Sequence, residues 1–225
     1  MAVVHGIAGE WARVKGTIFG LWPLFLSVLA FGFSAAVAIF AHPRAGVAMS
    51  LASLVAIWLM LLKGLRRVES FYKGARGEEK VSGILGDLPE GYHVFNDFKA
   101  MSRHVDHVVV GPAGVFSVET KFWSEKVTIE EGHVLVGGRL PSRSPLAQAR
   151  REAQLVREQL EKAGWKGQVT PVLAFASDTF APHVVETQGV VVLNSCELKR
   201  SFATQRVLIE AQELSRIVSL MENNA

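Results

Sequence analysis

Two long apolar runs dominate the first third of the chain. Residues 17–40 form a mostly apolar run of 24 residues without Lys, Arg, Asp or Glu, and a helix of that length crosses the roughly 30 Å hydrocarbon core of a bilayer. Residues 45–62 form a second apolar run, which spans about 27 Å as a helix. The pattern predicts a hairpin of two transmembrane helices within residues 1–63.

A cleaved secretory signal peptide is the alternative interpretation of the first run, with Ala36-Val37-Ala38 as its cleavage site. Signal peptides have an apolar core of only about 7–15 residues, so the length of the run favours a membrane anchor. Neither run has a charged residue in its interior. This disfavours a transporter or channel, because those proteins place ionisable groups along their pathway.

After a basic linker at residues 64–73, the pattern changes to short apolar runs that are typical of one soluble domain at residues 74–225. Turn residues 111–114 (GPAG) join two of the predicted strands as a hairpin. Helices are predicted at residues 77–88, 145–163 and 204–221, and strands at 92–95, 105–110, 115–120, 127–129, 133–136, 169–176 and 189–193. We expect an α/β fold, with a mixed sheet flanked by helices.

The distribution of charge describes topology better than it describes a nucleic-acid surface. The formal net charge of +3 lies within residues 1–63, and the remaining 162 residues are formally neutral. Only Arg44 lies between the two apolar runs, whereas basic residues flank them on the outer sides at 13, 15, 63, 66, 67, 73 and 76. Positive residues stay on the cytoplasmic side. We therefore expect an integral protein of a bacterial inner membrane, with both termini and the soluble domain in the cytoplasm.

The single cysteine, Cys196, excludes an intramolecular disulfide framework and a zinc site of paired thiolates. We expect it to be reduced and buried, as a small apolar side chain.

Three charged side chains converge if the hairpin is symmetric about residues 111–114. Asp106 then lies opposite Glu119, and Lys121 points to the same face as Glu119 because it is two residues further along the strand. Two carboxylates suit a hard cation such as Mg²⁺, and a metal beside an ammonium is typical of phosphodiester hydrolysis. A solvated hairpin face, with Asp106 paired to Arg103 or His104, is the alternative.

Five segments together resemble the nuclease-related domain, a family often written NERD. The resemblance covers about residues 70–176, and its specificity comes from the order and spacing of the segments. They are 74–78 (GARGE), 94–97 (VFND), 105–116 (VDHVVVGPAGVF), 118–121 (VETK) and 145–149 (PLAQA). The family is regarded as a branch of the PD-(D/E)xK nuclease superfamily, so the resemblance implies a restriction-endonuclease-like fold. Val105 replaces the proline of the superfamily name, which ligates nothing.

The resemblance also implies roles for five residues. Asp106 and Glu119 correspond to the metal-binding acids, Lys121 to the catalytic lysine, and Glu78 to a helix glutamate that supports the metal site. Gln148 corresponds to a glutamine that completes the pocket. The implied cofactor is Mg²⁺ or Mn²⁺.

Several residues also have plainer interpretations. Glu78 could be an acid of a first helical turn that interacts with the helix dipole, and Gln148 could be a solvated helix residue. His107 should point away from Asp106 into the core because neighbouring strand residues face opposite sides. His104 shares the Asp106 face, where phosphate contact or simple packing are both open.

The resemblance implies a membrane-anchored, metal-dependent nuclease that hydrolyses DNA or, as the second choice, RNA. The competing hypothesis is a non-catalytic module that binds nucleic acid or protein on the same fold, since fold alone does not establish function. The expected partners are nucleic acid and the lipid bilayer. Two basic groups could contact them: residues 66, 67, 73, 76 and 80, and residues 139, 143, 150, 151 and 157.

Overall fold

The computed structural model describes residues 1–101, 103–181, 184–203 and 206–223, and the side chains of Lys63, Arg66 and Arg67 lie outside this description. The chain forms two compact units. One contains residues 11–73, and the other contains residues 1–10 together with 74–225. Residues 1–10 and 74–225 therefore belong to the same unit, although the 63 residues 11–73 separate them in sequence.

Two long helices, α1 (Glu10–Phe40) and α2 (Pro43–Gly86), provide the first unit. Glycines allow the two helices to pack closely at both ends. A Cβ on Gly46 would lie 2.6 Å from the Cα of Ala38, and one on Gly16 would lie 3.2 Å from the Cβ of Phe71. Phe19 stacks on Phe71 with ring centroids 5.6 Å apart.

Two segments, Glu10–Phe40 and Pro43–Leu62, are long and apolar enough to cross a membrane. Within the most apolar 18-residue stretch of each segment, only 11% and 6% is buried, whereas the core helix of a soluble protein is mostly buried. The two predicted apolar helices are therefore present. Residues 64–73, which the sequence suggests as a linker, instead continue helix α2.

The second unit contains a mixed seven-stranded sheet and a separate two-stranded ribbon. The strand order of the sheet is β1-β2-β3-β4-β7-β9-β8, and β5 pairs with β6 in the ribbon. The pairs β1–β2, β4–β7 and β7–β9 are parallel, and β2–β3, β3–β4 and β8–β9 are antiparallel. The strands are β1 (Val3–His5), β2 (His93–Ala100), β3 (Arg103–Gly111), β4 (Gly114–Lys121), β5 (Val127–Glu130), β6 (His133–Val136), β7 (Val169–Phe175), β8 (Val184–Thr187) and β9 (Val190–Asn194).

Helices cover both faces of this sheet, so the predicted α/β class is confirmed. Helices α3 (Pro145–Lys162) and α5 (Ala211–Glu222) pack on the face that carries Val108, whereas the end of α2 and helix α4 (Leu198–Ala203) pack on the face that carries Val109. Neighbouring valines of β3 thus enter opposite cores. This is why the central strands are continuous apolar runs rather than alternating ones.

The predicted closing helix at residues 204–221 is confirmed in its second part, but its predicted start is wrong. Residues 206–210 are not helical, and residues 204 and 205 lie outside the described part of the chain. The backbone amides of Leu208 and Ile209 both donate to Pro112 O, at 2.8 and 3.0 Å. These bonds tie the segment to the hairpin turn, so a helix forms only from Ala211 onward.

Two short strands were not predicted from the sequence, and the predicted burial of one residue, Cys196, is wrong. β1 and β8 are edge strands of three and four residues, too short for an alternating pattern to stand out. Cys196 is exposed rather than buried, because the 3₁₀ turn Ser195–Glu197 follows β9 and turns it outward.

Candidate active site

The central hairpin has the symmetric register that the turn predicts. Val110 pairs with Val115, and the ladder runs from Gly111–Gly114 to His107–Val118. It ends there, one residue before Asp106 and Glu119. Beyond that point the side chain of Asp106, instead of its backbone, bonds to β4: Asp106 Oδ2 accepts a hydrogen bond of 2.8 Å from the Thr120 amide.

A second acid meets Asp106 from the other neighbouring strand. The pairs Asn96–His107 and Phe98–Val105 flank Asp97 and Asp106, which occupy facing register positions on β2 and β3. Asp97 has a φ of 48°, an uncommon conformation that Asp tolerates better than most residues. Neither the β2–β3 ladder nor the β3–β4 ladder therefore includes a residue pair at Asp106.

A chain of side-chain hydrogen bonds links strand β4 to helix α3. Lys121 Nζ donates to Glu119 Oε1 and, at 3.1 Å, to Gln148 Oε1. Gln148 Nε2 in turn donates to Glu152 Oε1 at 2.9 Å. Helix α3 is held in place at its start, because Ser144 caps it by accepting from the Ala147 amide. Gln148 and Glu152 lie one turn apart and reach the strand from the same helix face.

Helix α2 brings Glu78 towards the same carboxylates. Gly77 lets the helix approach the end of β4, since a Cβ there would lie only 2.8 Å from the Cβ of Phe122. Lys80 donates to Ala176 O at 2.8 Å and so fixes the helix to the end of β7. Glu78 is half-buried, and its carboxylate interacts with those of Asp106, Asp97 and Glu119.

Burial and mutual repulsion raise the pKa of every carboxyl group in this cluster that shows a shift. Burial, followed by the Asp106 carboxylate, raises the pKa of Glu78 to about 9. Burial raises the pKa of Glu119 to about 8 against the opposing effect of Lys121, and burial and Glu119 raise that of Asp106. Burial also raises the pKa of Glu152. The cluster therefore favours bound positive charge, whether protons or a cation.

Glu119 and Glu152 make direct contact, and one proton decides the nature of that contact. Glu119 and Glu152 are 2% and 7% exposed. When both are ionised, neither can donate, and the Oε2 atoms of both lack a hydrogen-bond partner within the described structure. A proton on Glu119 creates a hydrogen bond to Glu152. The Oε2 atom of Glu119, which accepts no hydrogen bond, could thus take a proton or bind a cation.

Lys121 remains a cation in this environment. Burial by itself would lower the pKa of its ammonium group, but Glu119 and Asp106 outweigh burial and raise the pKa above the ordinary value. A lysine of this kind donates hydrogen bonds and stabilises negative charge; it does not act as a base near neutral pH.

Comparison with known proteins matches part of the chain to a known family. Residues 73–176 match the family model described as NERD, the nuclease-related domain. This part of the chain is a nuclease-related domain. Searches of curated proteins and of solved structures found no match. The matched segment contains Glu78, Asp106, Glu119, Lys121 and Gln148, so the domain carries all five predicted site residues.

The donor set of this nuclease-related domain fits a hard divalent cation by its chemistry. Asp106 and Glu119 offer carboxylate oxygens, and one buried oxygen of Glu119 has no partner among the described residues. Mg²⁺ is commonly bound by one or two carboxylates, with waters and a substrate phosphate as further ligands. No group of three or more His, Cys, Asp or Glu side chains in the described structure is arranged to hold a metal. Glu78 as a third ligand stays a prediction.

The two histidines beside Asp106 have different roles in the nuclease-related domain. His107 is fully buried and shares a hydrogen bond of 2.7 Å with Asn96 Oδ1, and burial lowers its pKa to about 3. Its predicted place in the core is confirmed. His104 Nδ1 lies 2.7 Å from Asp97 Oδ1.

The alternative of a solvated hairpin face is wrong, because Glu119 is buried and Asp106 bonds to the Thr120 amide.

Sequence reasoning missed Asp97 and Glu152 as members of the cluster. Asp97 lies within the 94–97 segment (VFND) that supports the resemblance, but its role depends on facing Asp106 across two strands. Glu152 follows Gln148 by four residues, and this spacing was the available signal. Among the arginines considered for DNA contact, Arg150 donates to Gln188 and Arg157 pairs with Glu161.

Proposed function

We propose that the protein is a membrane-anchored, Mg²⁺- or Mn²⁺-dependent nuclease that hydrolyses phosphodiester bonds of DNA, with RNA as the second choice. One observation carries the proposal: the buried Glu119 carboxylate accepts a hydrogen bond from the charged Lys121, beside the Asp106 carboxylate and inside a nuclease-related domain. Buried carboxylates with raised pKa values are costly to the fold without positive charge. Such an arrangement is more typical of a functional site than of a packing device.

The proposed roles follow from the contacts. Asp106 and Glu119 would hold the cation, with Glu78 as a supporting acid, and the Thr120 amide keeps Asp106 oriented. When bound, a divalent cation acidifies a coordinated water and stabilises negative charge on a phosphate. Lys121 is a permanent donor beside this position and orients the nucleophile or the phosphate. Gln148 and Glu152 keep the Lys121 side chain in place from helix α3.

The membrane part of the proposal rests on chain connectivity. Residues 1–10 and 74–225 form one unit, so the segment between them must cross a bilayer an even number of times. The two apolar helices satisfy this requirement. Basic residues flank the outer ends of the helices, which supports a cytoplasmic position for the nuclease-related domain. A bacterial inner membrane and its lipids are the proposed surroundings.

The test is cleavage by the full chain in detergent micelles. A fragment of residues 74–225 would lack strand β1, which belongs to the sheet. Single- and double-stranded DNA and RNA are incubated with Mg²⁺ or Mn²⁺ and the wild-type protein, Asp106→Asn or Lys121→Met. Loss of one catalytic group is expected to lower the rate by about 10²-fold or more.

Asp87→Asn and Lys199→Met are the matched controls, since both residues are exposed and lie outside the site. They should cleave at the wild-type rate. Absence of cleavage on all four substrates, or wild-type cleavage by Asp106→Asn, contradicts the proposal. Nucleic-acid binding without cleavage would instead support the non-catalytic module.

A further inference from the structure

The first nine residues, here called the N-terminal arm, contribute strand β1 to the seven-stranded sheet. Strand β1 pairs in parallel with β2, in the register Val3–His93 to His5–Phe95. The Ala2 amide donates to Gly86 O at 3.1 Å, and the Val3 amide donates to Tyr92 O at 2.9 Å. The arm lies outside the matched segment 73–176.

Side chains hold the middle of the arm against β2. His5 stacks on Phe95, with ring centroids 4.4 Å apart and planes 8° apart. Asn96 Nδ2 donates to Gly6 O at 3.4 Å, and Asn96 directly precedes Asp97 of the carboxylate cluster. The arm therefore follows β2 from its beginning towards the site.

The end of the arm reaches Glu78. Gly9 has a φ of +72°, and a Cβ on it would lie 2.9 Å from both the Cα and the Cβ of Ala75. Only glycine fits this position without strain. Ala75 is buried and lies one helical turn before Glu78, and the backbone amide of Gly9 favours the ionised form of Glu78, which lowers the pKa of Glu78 against the larger effect of burial.

We propose that the N-terminal arm is a positioning segment of the candidate active site, in which the Gly9 amide holds the Glu78 carboxylate in place. Glu78 belongs to a long helix, and a half-buried carboxylate surrounded by other carboxylates is repelled from the cluster. An amide donor favours its ionised form and restrains its direction. Gly9 directly precedes the first residue of α1, so the same short arm joins the site to the first apolar helix along the chain.

Amide hydrogen exchange of the full chain in micelles tests the Gly9–Glu78 bond without any substrate. Glu78→Ala removes the acceptor, so exchange at Gly9 should become about tenfold faster or more, whereas the Val3 amide, which donates to Tyr92 O, keeps its protection. Glu78→Gln retains an acceptor oxygen and should restore part of the protection at Gly9. Unchanged Gly9 exchange in Glu78→Ala overturns the proposal.

A proline pair tests the arm as a whole. The Val3 amide donates to Tyr92 O, directly before β2, and in a parallel pair the next residue directs its amide away from that partner. Val3→Pro therefore removes a ladder bond, whereas Val4→Pro does not. The two valines are similarly exposed, at 51% and 46%, which makes Val4→Pro the matched control. Val3→Pro should lose protection at Gly9, and Val4→Pro should keep it.

The role in catalysis rests on the proposed function and is measured by a double-mutant cycle. Val3→Pro should lower the cleavage rate of the wild-type chain about tenfold or more, but should have little further effect in a Glu78→Ala background. Equal losses in both backgrounds would mean that the arm acts through stability alone, and the proposal fails. If the wild-type chain does not cleave but the exchange results hold, the proposed function fails and the positioning of Glu78 stands.

Discussion

The ionisation of Glu119 is subject to opposing effects of burial and of a neighbouring lysine. It is almost fully buried, it accepts a hydrogen bond from Lys121, and it contacts Glu152. An ionised carboxylate in this position is stabilised by the lysine and destabilised by burial and by the second glutamate. Burial prevails, and the pKa of Glu119 rises to about 8. At neutral pH, without metal, most of the population carries a proton there.

This raised pKa predicts a pH dependence of metal-free stability. The folded protein holds a proton on Glu119 between its ordinary pKa of 4.5 and the raised value of about 8, whereas the unfolded chain does not. The stability from this group is complete below pH 4.5 and is lost as the pH rises through 8. We expect the melting temperature in EDTA to fall between pH 5 and pH 9, with a smaller fall in Glu119→Gln.

The matched control for this measurement is Glu90→Gln, because Glu90 is exposed. It should follow the wild-type curve. A wild-type melting temperature that rises over the same interval, or an equal fall in Glu119→Gln, contradicts the assignment of Glu119.

Lys121 provides a second prediction at the residue scale. Lys121→Met removes the cation beside Glu119 and leaves a buried carboxylate unpaired. We expect the free energy of unfolding at pH 9 to fall by about 2–4 kcal/mol. The double variant Lys121→Met/Glu119→Gln should recover part of this loss, because both charges are then gone. Urea denaturation measures Lys121→Met, Glu119→Gln and the double variant. A loss of stability in the double variant that equals the sum of the two single losses contradicts the pairing.

At the scale of elements, the site depends on how closely helix α2 approaches strand β4. Helix α2 continues from the apolar segment into the nuclease-related domain and delivers Glu78. Helix α3 delivers Gln148 and Glu152 from the other direction. Strand β4 ends with Glu119 and Lys121, between the two helices. Each element supplies only part of the site, so a shift of α2 changes the position of Glu78 and a shift of α3 changes the contacts of Gln148 and Glu152.

Two glycines of α2 form a natural pair of test positions. A Cβ on Gly77 would lie 2.8 Å from the Cβ of Phe122, whereas a Cβ on Gly74 meets nothing within 4 Å. Gly77→Ala should therefore lower the free energy of unfolding by about 1–3 kcal/mol. Gly74→Ala should leave it unchanged or raise it by up to about 1 kcal/mol through helix propensity. Thermal or urea denaturation measures both, and equal effects contradict the close approach at Gly77.

At the scale of the whole molecule, both ends of the segment 11–73 join one unit. The arm before the first apolar helix pairs with a strand that follows the second. Because the arm and the nuclease-related domain belong to one unit, they lie on the same side of any bilayer that the two apolar helices span.

The single exposed cysteine allows the topology to be measured. With a membrane-impermeant maleimide on intact cells, Cys196 should remain unlabelled until the membrane is permeabilised. In a Cys196→Ser background, His42→Cys should label in intact cells, because residue 42 lies between the two apolar helices. Labelling of Cys196 in intact cells would contradict the cytoplasmic assignment, and labelling of neither position before permeabilisation would contradict the hairpin.

Much of this protein could be predicted from local patterns. The hairpin register followed from a four-residue turn with valines on both sides, and helix α3 followed from Pro145 at its start and Gly164 after its end. These features depend on neighbours in sequence. The end of the chain was predicted less well, because the bonds from Leu208 and Ile209 to Pro112 replace a helix that the local pattern favoured.

The sequence by itself determined the two apolar helices, the mixed α/β class and the convergence of Asp106, Glu119 and Lys121, since these follow from residue periods and turn chemistry. Only the tertiary structure decided that Asp97 faces Asp106, that Glu152 contacts Glu119 and that Gly9 reaches Glu78. Each of these contacts joins residues from different elements. Their energies come from burial and from the pairing of charges at a distance in sequence, which no local pattern encodes.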